Sequence, residues 1–222
     1  MLRTRQVIFS AVLMAACLML PAGRVDWPGA WVLIGLCSLA VLLTGAAVAR
    51  RNPGLIAERA RGFGHGKAWD KVLSPIMALF GPMAIWITAG LEARRYWPGR
   101  LPGFVVFAGA GLAVAAMPLV AWALLSNRFF STVVRIQKDR GHVVETGGPY
   151  RFVRHPGYAG SIVFTMATPL ILDSRWALWP ALATSAVVVL RTALEDRTLR
   201  RELEGYAAYA ARVKYRLAPG IW

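Results

Sequence analysis

The chain has 222 residues, of which 57% are hydrophobic; its mean hydropathy is +0.48 and its formal net charge +15. A chain this apolar is not an ordinary soluble domain, and without barrel-type alternation its membrane-crossing elements must be helices. The positive charge is spread over separate loops rather than gathered into a basic groove with interleaved aromatics, which argues against nucleic acid as a partner.

Six charge-free runs follow in chain order: Gln6–Gly23, Trp27–Ala49, Val72–Leu91, Leu101–Asn127, His155–Leu172 and Trp176–Leu190. About 20 apolar residues are needed to cross the bilayer core. Four of the runs meet that length comfortably. The last two are short and are joined only by Asp173-Ser174-Arg175, so they read as a helical hairpin whose second arm continues past Leu190. Arg3, Arg5 and the Met14-Ala15-Ala16-Cys17 stretch resemble a leader with a lipoprotein box, but the apolar run continues to Ala22, and an uncleaved first helix is expected. Cys17 and Cys37 both fall in spans with no CxxC pairing, so neither a disulfide nor a metal site is expected.

With the N-terminus in the cytoplasm, 21 of the 26 Lys and Arg residues fall on that side. The positive-inside rule then predicts that both termini are cytoplasmic, and basic loops on that face suit anionic lipid head groups. In the second connection, Asn52-Pro53-Gly54 signals a turn, Leu55–Arg61 a short amphipathic piece, and Gly62, Gly64 and Gly66 a flexible loop; with no preceding strand they do not form a phosphate loop. In the fourth span, Gly109-Ala110-Gly111 predicts close helix packing and Pro118 a kink. Gly141–Gly148 reads as an extended segment ending in a turn. The region Glu195–Val213 reads as one amphipathic helix, with Leu199, Leu203, Tyr206, Tyr209 and Ala210 on its apolar stripe.

Chemistry is expected in Gly148-Pro149-Tyr150-Arg151-Phe152-Val153-Arg154-His155-Pro156-Gly157-Tyr158, a cationic stretch that runs straight into an apolar span. Ionisable groups at that depth are costly and usually face a cavity or ligand. The two prolines restrict Gly148 and His155 and stiffen the peptide that carries the side chains. Arg151 is expected to anchor at the interface, whereas His155 and Tyr158 point to function. Beyond the last span, Arg191 and Glu195 are four apart and share a helix face. They are expected to bind a charged ligand between that helix and the loop, while Asp196, Arg197, Arg200, Arg201, Glu202 and Glu204 form a solvated face.

Residues 126–222 resemble the isoprenylcysteine carboxyl methyltransferases, and more distantly the phospholipid N-methyltransferases. The matching positions are Gly148-x-Tyr150, Arg154-His155-Pro156-x-Tyr158, Glu195-Asp196 with Leu199, and Tyr206-x-x-Tyr209. The resemblance implies S-adenosyl-L-methionine as cofactor, held by Gln137, His142, Val143, Val144, Glu145, Tyr150, His155, Pro156, Gly157, Tyr158 and Glu195. It further implies that Arg191 orients a substrate carboxylate and that Arg191 and Glu195 are the catalytic pair. The chain departs from the family at Asp196, where a second glutamate is usual, and at Glu145, where the segment is usually more apolar. The resulting expectation is an all-α polytopic membrane protein of about six transmembrane helices. Residues 1–125 supply the first four spans, and residues 126–222 a cytoplasmic cofactor-binding region. It would methylate the carboxyl group of an isoprenylcysteine-like, lipophilic or prenylated substrate arriving from the bilayer. Phospholipid N-methylation, an NADPH-dependent reductase of the related sterol type, and a non-enzymatic head-group anchor are the competing readings.

Overall fold

The computed structural model describes residues 2–96 and 101–222, with side chains from residue 7 onward. The side chains of Arg3, Arg5 and Arg100, which entered the charge count, lie outside the described residues. Among the described residues every regular element is helical: α1 (Leu2–Ala22), α2 (Pro28–Arg51), α3 (Pro53–Ala60), α4 (Asp70–Pro75), α5 (Gly81–Arg95), α6 (Gly103–Ser126), α7 (Pro156–Ile171), α8 (Leu178–Glu202) and α9 (Tyr206–Arg212). Proline opens α2, α3 and α7, where its fixed φ suits the first helical turn and its missing N–H costs nothing. Between α4 and α5, Ile76–Phe80 widens into a π-helical turn bracketed by Pro75 and by Pro82, which has no N–H to close the ordinary ladder.

Among the described residues, four helices are long and apolar enough to cross a bilayer: α2, the continuous α4–α5 rod Asp70–Arg95, α6, and α8. In α1 the apolar part is Val7–Ala22. At about 1.5 Å per residue, the 16 residues of α7 reach roughly 24 Å, short of the roughly 30 Å hydrocarbon core. The outer faces display Leu20, Phe104, Phe107 and Trp179, each at least 74% exposed, an arrangement that suits lipid and not water.

The intramembrane core joins Met14 and Leu18 of α1, Leu33 of α2, Ile85 and Ala89 of α5, Ala113 of α6, Ala167 and Ile171 of α7, and Ala181 of α8. The closest pair is α6 with α7, and glycine makes the approach possible. A Cβ at Gly109 would lie 2.5 Å from Leu170 Cβ, and one at Gly160 2.7 Å from Val120 Cγ2. Gly111 faces open space, so the predicted packing motif acts through Gly109, and α6 runs through Pro118 without interruption. The hairpin turn between α7 and α8 is fastened from α5: Glu92 Oε2 accepts from Ser174 Oγ at 2.5 Å and from the Trp176 N–H at 2.9 Å.

One expectation is corrected. Glu195–Val213 is not a single helix. Leu203 leaves the helical region, Gly205 adopts φ +78°, and α9 starts anew at Tyr206. The break turns α9 back so that Tyr206, Tyr209 and Ala210 pack with Tyr150, Leu203 and Ala123 in a second core.

Candidate active site

The segment between α6 and α7 folds against the end of α8 and against α9, leaving a cleft of about 760 Å³ including its open mouth. Gln137, His142, Val143, Val144, Glu145, Tyr150, His155, Gly157, Tyr158 and Glu195 all line it. Pro156 and Arg191 do not. Pro156 is the N-terminal residue of α7 and keeps His155 out of the helical region, at φ −129° and ψ 61°.

Tyr150 sits on a short 3-10 turn, Gly148–Arg151, with Gly148 at φ +53° pressed against Ser126. Its hydroxyl donates to the Ala123 carbonyl at 3.2 Å and accepts from Asn127 Nδ2 at 3.3 Å, and burial pushes the phenol pKa up. The Tyr209 hydroxyl donates to the Tyr150 carbonyl at 2.7 Å, pinning the same turn from α9. Gln137 is buried, and its amide is spent on the loop itself: Nε2 donates to the Phe129 carbonyl at 2.8 Å and Oε1 accepts from Arg140 Nη1. The His142 ring lies on Phe129 with centroids 4.5 Å apart, and its Nδ1 accepts from the Gln137 N–H at 3.3 Å. Burial, then the cations of Arg135 and Arg140, push the His142 pKa down to about 4. Glu145 Oε1 accepts from the Gly147 N–H at 2.8 Å and shapes the turn that follows.

The floor of the cleft joins loop to helix. The Tyr158 hydroxyl donates to Glu195 Oε2 at 2.5 Å, and the His155 ring stacks on Tyr158 with centroids 5.7 Å apart. Glu195 Oε1 takes no hydrogen bond among the described residues. Arg191 lies one turn below. Its Nη1 donates to the Tyr158 hydroxyl, Nε and Nη2 donate to Asp70 at 2.6 and 3.2 Å, and Nη2 also donates to the Thr132 carbonyl at 3.1 Å. The guanidinium is therefore held by the protein's own acceptors rather than facing the cleft.

The solvated face expected around Asp196 is a second correction. Asp196 is fully buried and is the hub of the region. It accepts from Arg154 Nε at 2.7 Å, the Tyr206 hydroxyl at 3.0 Å, Arg216 Nε at 3.0 Å and Arg200 Nε at 3.1 Å, with His155 Nε2 at 3.6 Å. Arg154, itself only 3% exposed, also donates to the Val213 and Lys214 carbonyls, while the backbone N–H groups of Arg154 and His155 donate to the carbonyls of Tyr215 and Arg216. The chain's last residues thus strap the Arg154-His155 peptide in place. A signal was available in sequence: Thr192 and Asp196, four apart on α8, both face inward. Asp70 was missed as well, although a lone acid at the start of an apolar run is the kind of residue that needs a buried partner.

Outside the cleft floor, Arg135 bridges Glu58 of α3 at 2.7 Å and Asp139 at 2.8 Å. The Arg135 guanidinium holds both carboxyls below their ordinary range.

Comparison with known proteins bears on the same region. Residues 104–204 match the phospholipid methyltransferase family. Over 82 residues the chain is 30% identical to a probable protein-S-isoprenylcysteine O-methyltransferase of Oryza sativa subsp. indica, and equally to one of subsp. japonica. Each match covers 36% of this chain, which spans 40% of the length of these relatives. The segment 104–204, which supplies most of the cleft, is thus the part of the chain that is similar to membrane methyltransferases.

Proposed function

We propose that the protein is an S-adenosyl-L-methionine-dependent methyltransferase acting on a lipophilic acceptor delivered from the bilayer. The observation that carries this reading is the Tyr158–Glu195 hydrogen bond. It fixes a carboxylate at the floor of a cleft that gathers ten of the eleven residues expected to hold that cofactor. The donor set of the cleft also fits the group. Glu195, with Oε1 uncommitted, is an acceptor for an ammonium, His155 is a donor for a carboxylate, and Phe129 and Phe130 offer aromatic faces to a planar base. When bound, the cofactor supplies an electrophilic methyl group on a sulfonium. The protein's own task is then positioning and exclusion of water, for which the Pro149–Pro156 frame and the Asp196 hub provide rigidity.

The named relatives support carboxyl O-methylation of an isoprenylcysteine-like acceptor. A carboxylate nucleophile needs no general base; Arg191, the residue the resemblance assigns to orient it, is turned onto Asp70 and does not line the cleft. Phospholipid N-methylation is the second reading, favoured by one observation: Arg191 is already paired with Asp70 and does not line the cleft, so it is not presented there to an acceptor carboxylate. Anionic head groups at the rim are proposed to meet Arg59, Arg128 and Arg140, which border the cleft on Phe129 and Phe130.

The test is transfer of labelled methyl from the cofactor to a total lipid extract, followed by mild base. Volatile methanol released from the product marks an ester and the first reading. Base-stable label in phospholipid marks an amine and the second. No transfer to any lipid by folded protein contradicts both.

A further inference from the structure

The proposed site is built from the C-terminal half, yet its supporting charge comes from the N-terminal half. Asp70 opens α4, is 0% exposed, and lies outside the segment 104–204. It binds Arg191 through both carboxylate oxygens, and its Oδ2 also accepts from the Val134 N–H at 2.6 Å, which ties the cleft-lining loop to α4. Arg191 is 1% exposed, and a guanidinium has five N–H donors. Four are engaged: two by Asp70, one by the Thr132 carbonyl and one by the Tyr158 hydroxyl. Tyr158 then donates to Glu195. The series Asp70–Arg191–Tyr158–Glu195 runs from the buried interior into the cleft.

Arg191 and Glu195 are one helical turn apart but form no ion pair with each other; the Tyr158 hydroxyl stands between them. Among the described residues Asp70 is the only carboxylate that pairs with Arg191. A buried guanidinium does not stay uncompensated, so removing the Asp70 charge sends Arg191 to the next carboxylate in line, Glu195, which is at i+4 and already reached through one oxygen atom. Glu195 would then be neutralised from below and lost to a ligand above.

We propose that Asp70 is a positioning residue: by gripping Arg191 with both oxygens it keeps Arg191 off Glu195 and so reserves the Glu195 carboxylate for a cationic group bound in the cleft. This rests on the reading of the cleft as a site for a ligand that carries an ammonium. It gives the N-terminal helices a part in ligand binding that lies outside the methyltransferase match.

The experiment titrates S-adenosylhomocysteine into detergent-purified full-length protein by calorimetry, with thermal unfolding measured in parallel. It compares wild type, Asp70→Asn, Arg191→Met and the double variant. Asp70→Asn is expected to bind about tenfold more weakly. Arg191→Met is expected to unfold several degrees earlier, because Asp70 is left buried and unpaired, yet to keep its affinity within about threefold of wild type. The double variant is expected to recover both properties, since no unpaired charge remains. Affinities that simply follow unfolding temperature across the set, or wild-type binding by Asp70→Asn, would overturn the proposal while leaving the cleft assignment intact. Wild-type protein that binds no S-adenosylhomocysteine overturns the cleft assignment and the proposal with it. If Asp70→Asn does not purify folded, the double variant decides: affinity within about threefold of wild type sustains the proposal, and a tenfold loss overturns it.

Discussion

Asp196 gathers three arginines, a tyrosine and the edge of a histidine around one buried carboxylate. Arg154 is the costly member, because its side chain is almost wholly shielded from water. Asp196→Ala would leave that guanidinium buried and uncompensated, and is expected to destabilise the fold by about 3–5 kcal/mol. Thermal unfolding in detergent measures this, and a loss below about 1 kcal/mol would show the hub to be dispensable. His142 gives a pH dependence with a definite sign. Its folded pKa, about 4, lies below its ordinary value, so the unfolded chain takes up the proton first as pH falls. The His142 contribution is complete above about pH 6.5 and is lost between there and pH 4, on the order of 1 kcal/mol after allowance for partial exposure. His142→Phe, which keeps the packing on Phe129, should flatten that part of the stability profile; an unchanged slope would contradict the assignment. Residues such as Tyr150, His155, Tyr158 and Glu195 could be picked out in the sequence because each is polar where lipid should begin and is mounted behind proline or at a helix boundary. Asp196 and Asp70 left only faint signals. Asp196 sits in a charged run that reads as solvated, and its burial is created by α9 and the final residues folding back. The partner of Asp70 is 121 positions away, a distance that spacing rules do not reach.

At the scale of elements, the α6–α7 contact decides how the loop between them is presented to α8. Gly109→Val places a branched side chain where a single Cβ already meets Leu170 at 2.5 Å, and it is expected to cost about 1–3 kcal/mol. Gly111→Ala faces open space and should be neutral or slightly stabilising, since alanine restricts the unfolded chain. Comparing the two unfolding midpoints tests the packing directly, and equal losses would refute it. The helices themselves could be read from charge-free runs, and the hairpin from its three-residue connection. The break before α9 escaped because an i, i+3, i+4 stripe continues through Gly205 in sequence, while the left-handed glycine reverses the chain in space. The cleft depends on that reversal, since it brings Tyr206 and Tyr209 onto Asp196 and Tyr150.

At the scale of the whole molecule, apolar outer faces, four bilayer-length helices among the described residues and a polar cleft at one end suit the proposed catalyst, whose acceptor would be dissolved in lipid. On the topology we propose from the distribution of Lys and Arg, the cleft lies on the cytoplasmic side. With Cys17 and Cys37 replaced, a single cysteine at His65 should react with an impermeant thiol reagent only from the cytoplasmic face, and one at Val25 only from the opposite face. Labelling of both from one side would contradict the topology. The central claim is that the cleft is a methyl-donor site, and binding tests it most directly. Calorimetry on folded, detergent-purified protein should show S-adenosylmethionine and its demethylated product binding with one-to-one stoichiometry and NADPH not binding. Glu195→Gln should weaken the sulfur compounds by about tenfold or more. Folded wild-type protein that binds neither sulfur compound, or that binds NADPH in their place, would contradict the claim.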